Sequence, residues 1–574
     1  MAEFDVIIRG GTVIDGTRMP RYRADVGIKD GKIAKLGYLK SHQAKKVVDA
    51  SGQYVVPGFV DLHTHYDAQL FWDPYCTISS WHGVTSLVIG NCGFGFAPVR
   101  PDFRDRAMLT MTRTEAIPYA AMKAGMPWDW VTYPEFLDSI DRHPKGVNML
   151  PFVPLAPVMV WAMGLDEAKS GRMPTAKETN EMKRLINEAM DKGACGWSAQ
   201  RFGENSVQAD FDGTPMVTDL MHDETALELA KILGERNEGF IQMSYIPNSS
   251  TYEGDAQDHT EKHFEELALA AGRPILYNAI AINDAHPERF RRQMHWIESC
   301  AKRGIRVFGQ SATLELGFLF TFKDWNLWDD MPEWRAVTTG PVEDRLMKLS
   351  DPERRPGLRK VDEMTGAITN NVRAIFVLEC KEADLKKYEN MTIGEIADSE
   401  HKHPVDVMLD IACADGLNTE FYTPPVNVNK DYLKEMVKSD GMAIFGVSDG
   451  GAHTKFFSGG RYSTEALIKM GRDNDILSLE ELHFRLSAHP AMAAGFKNRG
   501  TLVEGACADV VVYDLNKLAI KPLEIVHDFP GGEWRRVQRA EGYNTIMVNG
   551  EVTFQEGKCT DAIPGKLLRS GGVA

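Results

Sequence analysis

The segment Val-Val-Pro-Gly-Phe-Val-Asp-Leu-His-Thr-His at residues 55–65 constrains this chain more than any other stretch. Its β-branched apolar residues read as a short buried strand, and it closes on His63 and His65. Side chains two apart on a strand point the same way, so both imidazoles can reach one metal ion from a single strand end. An isolated His-x-His is more often a pair of surface or core histidines. Here the Pro-Gly turn, the preceding strand and matching segments far downstream favour a ligand pair.

The chain has 574 residues, more than one ordinary domain needs, although one α/β barrel can take up most of that length. With 43% hydrophobic and 25% charged residues a large core can be buried. A net charge of -16 argues against a nucleic-acid partner, because phosphate binding needs a basic surface. No apolar run reaches the ~18 residues of a membrane span. Met1 to Asp5 lack the basic start and apolar stretch of a secretory signal, so a cytoplasmic protein is expected. The eight cysteines show no Cys-x-x-Cys spacing and are expected as free thiols, with only Cys92 assigned a chemical role.

Residues 4 to 56 alternate short apolar runs with turn signals, and Asp30-Gly31 marks a hairpin whose turn needs positive φ. The same character returns at Ala508–Asp514 and Thr545–Val552. Neither end can bury a core alone, so residues 1–57 and 496–574 are expected to combine into one small β-sandwich. Between them, residues 58–495 offer eight strand candidates: Val60–His65, Thr85–Cys92, Val147–Leu155, Ala194–Arg201, Phe240–Tyr245, Pro274–Asn278, Ile305–Ser311 and Ala443–Asp449. Helical stretches such as Glu178–Met190 intervene. Eight β-α units predict a (β/α)8 TIM-like barrel with its chemistry at the carboxyl ends of the strands. An excursion at about 320–405, carrying Trp325, Trp328 and Trp334, breaks this rhythm and reads as a lid rather than an oligomer contact, with tryptophans that either cover the pocket mouth or pack it down.

Two further segments carry chemistry. Gly90-Asn91-Cys92-Gly93 ends a strand with a thiol among glycines, which leaves the sulfur accessible to a cation. On its own such a segment is more often a turn. Ser448-Asp449-Gly450-Gly451-Ala452-His453 ends the eighth strand, where Asp449 can bind a metal and accept a proton from water. The bland alternative is again a plain turn. His453 either hydrogen-bonds a tetrahedral intermediate or caps the loop.

Together these segments resemble the amidohydrolase superfamily and, within it, the N-acyl-D-amino-acid deacylase (D-aminoacylase) branch, over nearly the whole chain. The resemblance implies a zinc site at His63, His65, Cys92 and Asp449, amide hydrolysis of an N-acyl-D-amino acid or similar N-acyl compound, a small-molecule substrate and a homo-oligomer. D-aminoacylases add two histidines from strands five and six, in segments like Ser-His-His-Lys and Asp-Cys-His-Pro. The corresponding strands here are read as Pro274–Ile280 and Arg306–Ala312, which contain no histidine. One zinc ion is therefore expected rather than two, with Asn278 and Gln310 as hydrogen-bond partners for substrate or water. His222, in Leu-Met-His-Asp-Glu, stands where the branch shows His-Met-Arg-Asp-Glu; it reads as an exposed helix-start residue, with a substrate contact as the second option. Competing readings are a hydrolase of another amide, lactone or cyclic imide, and a non-catalytic barrel that only binds.

Overall fold

The computed structural model describes residues 2–245, 255–324, 327–363, 371–438 and 443–570. Among the described residues the two chain ends pair in one continuous nine-stranded sheet. Its seam is the antiparallel pair Val510–Tyr513 and Tyr54–Pro57, in register from Val510↔Pro57 to Tyr513↔Tyr54. Alternating residues of these strands, among them Val6, Ile8, Val26, Ile28, Val510 and Val512, share one buried cluster. The Asp30-Gly31 hairpin is present, with φ of 51° and 72° joining Tyr22–Lys29 to Lys32–Gly37.

Eight parallel strands follow in chain order. Phe59–Asp61, Val84–Ile89 and Asn148–Pro151 form one sheet of three. After Phe152 the third strand continues as Val153–Pro154, which opens a six-stranded sheet running through Gly196–Arg201, Phe240–Tyr245, Ile275–Ile280, Val307–Ser311 and Ala443–Phe445. The second, fourth and fifth strands are buried at every position, as parallel strands covered on both faces must be. The helix expected near Glu178–Met190 spans Ala176–Asp191; Thr175 and Glu178 cap its start reciprocally, and Met182, Leu185, Ile186 and Ala189 form its buried stripe.

The long excursion after the seventh strand is a packed unit rather than a flap. Leu319–Phe320, Glu420–Tyr422 and Phe376–Glu379 make a three-stranded antiparallel sheet, so the unit extends beyond residue 405. Trp328 and Trp334 are buried at its centre with ring centroids 4.4 Å apart, against Phe320 and Phe322. These two tryptophans therefore hold the insertion together instead of covering a pocket. Trp325 lies outside the described residues.

Candidate metal centre

The first strand ends at Asp61, so His63 and His65 lie on the extended exit segment rather than on the strand itself. That segment stays extended because the last one clamps it: Asp449 N–H donates to the His63 carbonyl at 3.2 Å and His65 N–H to the Gly450 carbonyl at 2.8 Å. The two rings keep a common side, centroids 5.5 Å apart. The clamp needs Gly451, whose φ is +87° and whose Cβ would lie 2.8 Å from the His65 carbonyl carbon.

Cys92 sits in the turn Asn91–Gly93 after the second strand, its own φ at 56°. Its N–H donates to Gln242 Oε1 at 2.8 Å, and this bond fixes the sulfur's direction. Asp449 and His453 also adopt positive φ, 49° and 54°. For non-glycine residues this costs about 1–3 kcal/mol each and persists where the surroundings over-determine it, as they do at functional sites.

One cluster results. The ligating atoms of His63, His65 and Cys92 all lie within 4.8 Å of one another, and all three residues are buried. His63 Nε2 is 3.3 Å from Cys92 Sγ and 3.4 Å from Asp449 Oδ1, while His65 Nε2 is 3.7 Å from the same oxygen. Donors ~2.0–2.3 Å from a shared tetrahedral ion stand at about these mutual separations. His63 Nδ1 pairs with Gln310 Oε1 at 3.2 Å, which places its proton there and turns the Nε2 lone pair into the cluster. Burial lowers the pKa of His63 and takes that of His65 well below its usual value, so both rings are neutral and able to donate a lone pair. Burial, then Glu115 and Asp449, pushes the Cys92 thiol well up, a penalty that a bound cation would reverse.

Around this core the structure sorts the remaining candidates. His453 Nε2 stands 3.8 Å from Asp449 Oδ2, inside the site. Gln310 reaches the site through His63, so its carbonyl orients a ligand. Asn278 donates to Ser244 Oγ at 2.8 Å, and Ser244 is in turn 3.8 Å from Cys92 Sγ. His222 is not brought in: it precedes helix Asp223–Arg236 and its Nε2 bonds the Gly171 carbonyl at 2.7 Å, as an ordinary helix-start residue. The two segments without histidine are not the fifth and sixth strands. Pro274–Ile280 and Arg306–Ala312 fall on the sixth and seventh strands, and the fifth, Phe240–Tyr245, likewise contains no histidine.

One member escaped the sequence reading. Glu115 follows helix Arg104–Thr114, is 1% exposed, and places Oε1 3.9 Å from His65 Nε2 and Oε2 3.8 Å from His453 Nε2. The available signal was an acid at the head of the apolar run Glu115-Ala116-Ile117-Pro118.

Residues 46–293 match the Amidohydrolase family. The chain is 32% identical over 572 residues to an N-acyl-D-aspartate deacylase of Alcaligenes xylosoxydans xylosoxydans, covering 99% of this chain and 96% of the relative. It is 25% identical to the same organism's N-acyl-D-glutamate deacylase, covering 99% and 97%. Its fold is similar to that of the N-acyl-D-glutamate deacylase from Bordetella bronchiseptica complexed with zinc and a phosphonate inhibitor, with a TM-score of 0.67, 22% identity and 99% of each chain covered. This chain belongs to the amidohydrolase superfamily, in its N-acyl-D-amino-acid deacylase branch.

Proposed function

We propose that the protein is a metal-dependent amidohydrolase that cleaves the amide of an N-acyl-D-amino acid or a similar N-acyl compound. The observation that carries this reading is the convergence of His63, His65, Cys92 and Asp449 on one buried point. The surrounding architecture is a (β/α)8 barrel whose first and eighth strands meet through the Thr64–Gly450 bridge, with the cluster at the carboxyl ends of the strands. Residues 1–57 and 496–574 form its companion β-sandwich.

The donor set of two imidazoles, a thiolate and a carboxylate suits zinc. A divalent ion held there supplies Lewis-acid polarisation of the scissile carbonyl and a water acidic enough to ionise near neutral pH. Asp449, whose side chain is 27% exposed, is the cluster carboxylate that can reach an entering molecule. It takes the proton of the attacking water as the oxygen bonds to the carbonyl carbon. It then passes that proton to the nitrogen as the C–N bond breaks, leaving a carboxylic acid and a free amine. His453 stands beside it to hydrogen-bond the oxygen that becomes negative. Gln310 keeps His63 in the right tautomer, and Asn278 offers its amide to the substrate.

The test is release of free amine from N-acetyl amino acids of both hands, the acidic ones included, together with metal analysis of the same protein. The expected result is turnover of D-substrates that a chelator abolishes and zinc restores. Full turnover by metal-free protein would overturn the proposal.

A further inference from the structure

The loop after the eighth strand carries Asp449 and His453, both at positive φ, so groups outside the loop must over-determine its path. On one side it is tied to the turn after helix Arg104–Thr114. There His453 N–H donates to the Glu115 carbonyl, and Thr454 Oγ1 donates to the Ala116 carbonyl at 2.7 Å. On the other side stands a part of the C-terminal region that has no role in the reading above. Glu524–Val526 and Arg535–Val537 pair as an antiparallel hairpin outside the nine-stranded sheet. Arg536 of this hairpin meets the loop twice: its backbone N–H donates to the Thr454 carbonyl at 2.8 Å, and its Nε donates to the Lys455 carbonyl at 2.7 Å. The Lys455 side chain reaches back, with Nζ 3.3 Å from Glu533 Oε2 and 4.8 Å from the centre of the Trp534 ring.

Arg536 is buried, and its far end is fixed by the long insertion, where Nη2 pairs with Glu420 Oε1 at the start of strand Glu420–Tyr422. One side chain thus joins the insertion and the C-terminal hairpin at the loop that bears His453. A buried ion pair is often no more stabilising than apolar groups of the same volume, so stability alone does not account for it. The hairpin also reaches the wall of the site itself: a cavity of about 10 Å³, room for one water, is bounded jointly by Asp449, Thr454, Arg535 and Arg536. We propose that Arg536 is a positioning residue for the reaction, holding the backbone at 454 and 455 so that His453 Nε2 keeps its place 3.8 Å from Asp449 Oδ2. It acts through His453, and the inference rests on the role given to His453 in the proposed hydrolysis.

The test is turnover per bound zinc of Arg536→Met combined with Glu420→Leu, measured on the best substrate of the panel. Exchanging both partners removes the bond to the Lys455 carbonyl without leaving a buried charge unpaired. kcat should fall about 10–100-fold, with KM and zinc content within about 2-fold of wild type. The same two substitutions in a His453→Ala background should cost no more than about 2-fold, because the residue through which Arg536 acts is gone. Equal losses in the two backgrounds would overturn the proposal, and so would an unchanged kcat in the first. If the combined variant does not fold by circular dichroism, Arg536→Lys takes its place with the same expectations, since it keeps the charge facing Glu420 and loses the planar fork that reaches Lys455. Zinc-loaded wild type that hydrolyses nothing in the panel would instead overturn the hydrolase reading, and this inference with it.

Discussion

On one side of the cluster stand His63, His65, Cys92 and Asp449; on the other stand Gln242, Ser244, Asn278 and Gln310. The first group follows the first, second and eighth strands, His63 and His65 on an extended exit segment and Cys92 and Asp449 on turns at positive φ. The second group sits within the fifth, sixth and seventh strands, where the ladder is regular except for a bulge after Asn278, and carries neither charge nor imidazole. The difference divides the labour of the pocket. Ionisable donors are held beyond the strand ends, two on a clamped extended segment and two on turns, where a cation can be gripped, while amides and a hydroxyl within the strands aim those donors and leave hydrogen bonds for a substrate.

The largest effect is expected from Asp449→Asn. If the ligand side carries the chemistry, turnover should fall by about 10³–10⁴-fold or more with the circular-dichroism spectrum unchanged, because both the proton acceptor and a metal ligand are lost. Comparable loss from a variant on the neutral side would erase the distinction.

Acidity sharpens it next. The Cys92 thiol, pushed up by burial, must lose its proton to ligate, so binding releases one proton at that residue. His63 and His65, pushed down by burial, are already neutral and release none above their usual range. Zinc affinity measured against a competing chelator should therefore rise with pH from 6.5 to 8. Cys92→Ser should reduce the slope of log affinity by about one per pH unit, which is about tenfold over each unit. An unchanged slope would remove Cys92 from the ligand set.

The neutral side should show smaller, separable effects. Gln310→Ala removes the acceptor that sets the His63 tautomer and should weaken zinc about 10–100-fold. Asn278→Ala should leave zinc binding within a few-fold of wild type and raise KM a few-fold, measured on the best substrate of the panel.

How much of this could be read beforehand follows from how local each signal is. His63 and His65 close an apolar run, Cys92 sits among glycines, and Asp449 ends a strand in Ser-Asp-Gly-Gly; each is a pattern within about ten residues. The hairpin at Asp30-Gly31 and the helix at Ala176–Asp191 were legible for the same reason. Glu115 was not, because its partner His453 lies far along the chain and only the fold brings them to 3.8 Å. His222 beside Asp223-Glu224 suits a helix start better than a substrate contact, and its imidazole satisfies the Gly171 carbonyl. Trp328 and Trp334 looked like a cover because aromatic residues in a long excursion fit either role, and only their mutual packing shows them as core.

Two imidazoles, a thiolate and a carboxylate from three separated strand ends are expected to grip one ion. Zinc-edge X-ray absorption on the zinc-loaded protein tests it most directly. One sulfur at about 2.3 Å together with nitrogen and oxygen donors near 2.0–2.1 Å is the predicted first shell, with the sulfur lost in Cys92→Ser. A shell without sulfur, or one unchanged by that substitution, would contradict it.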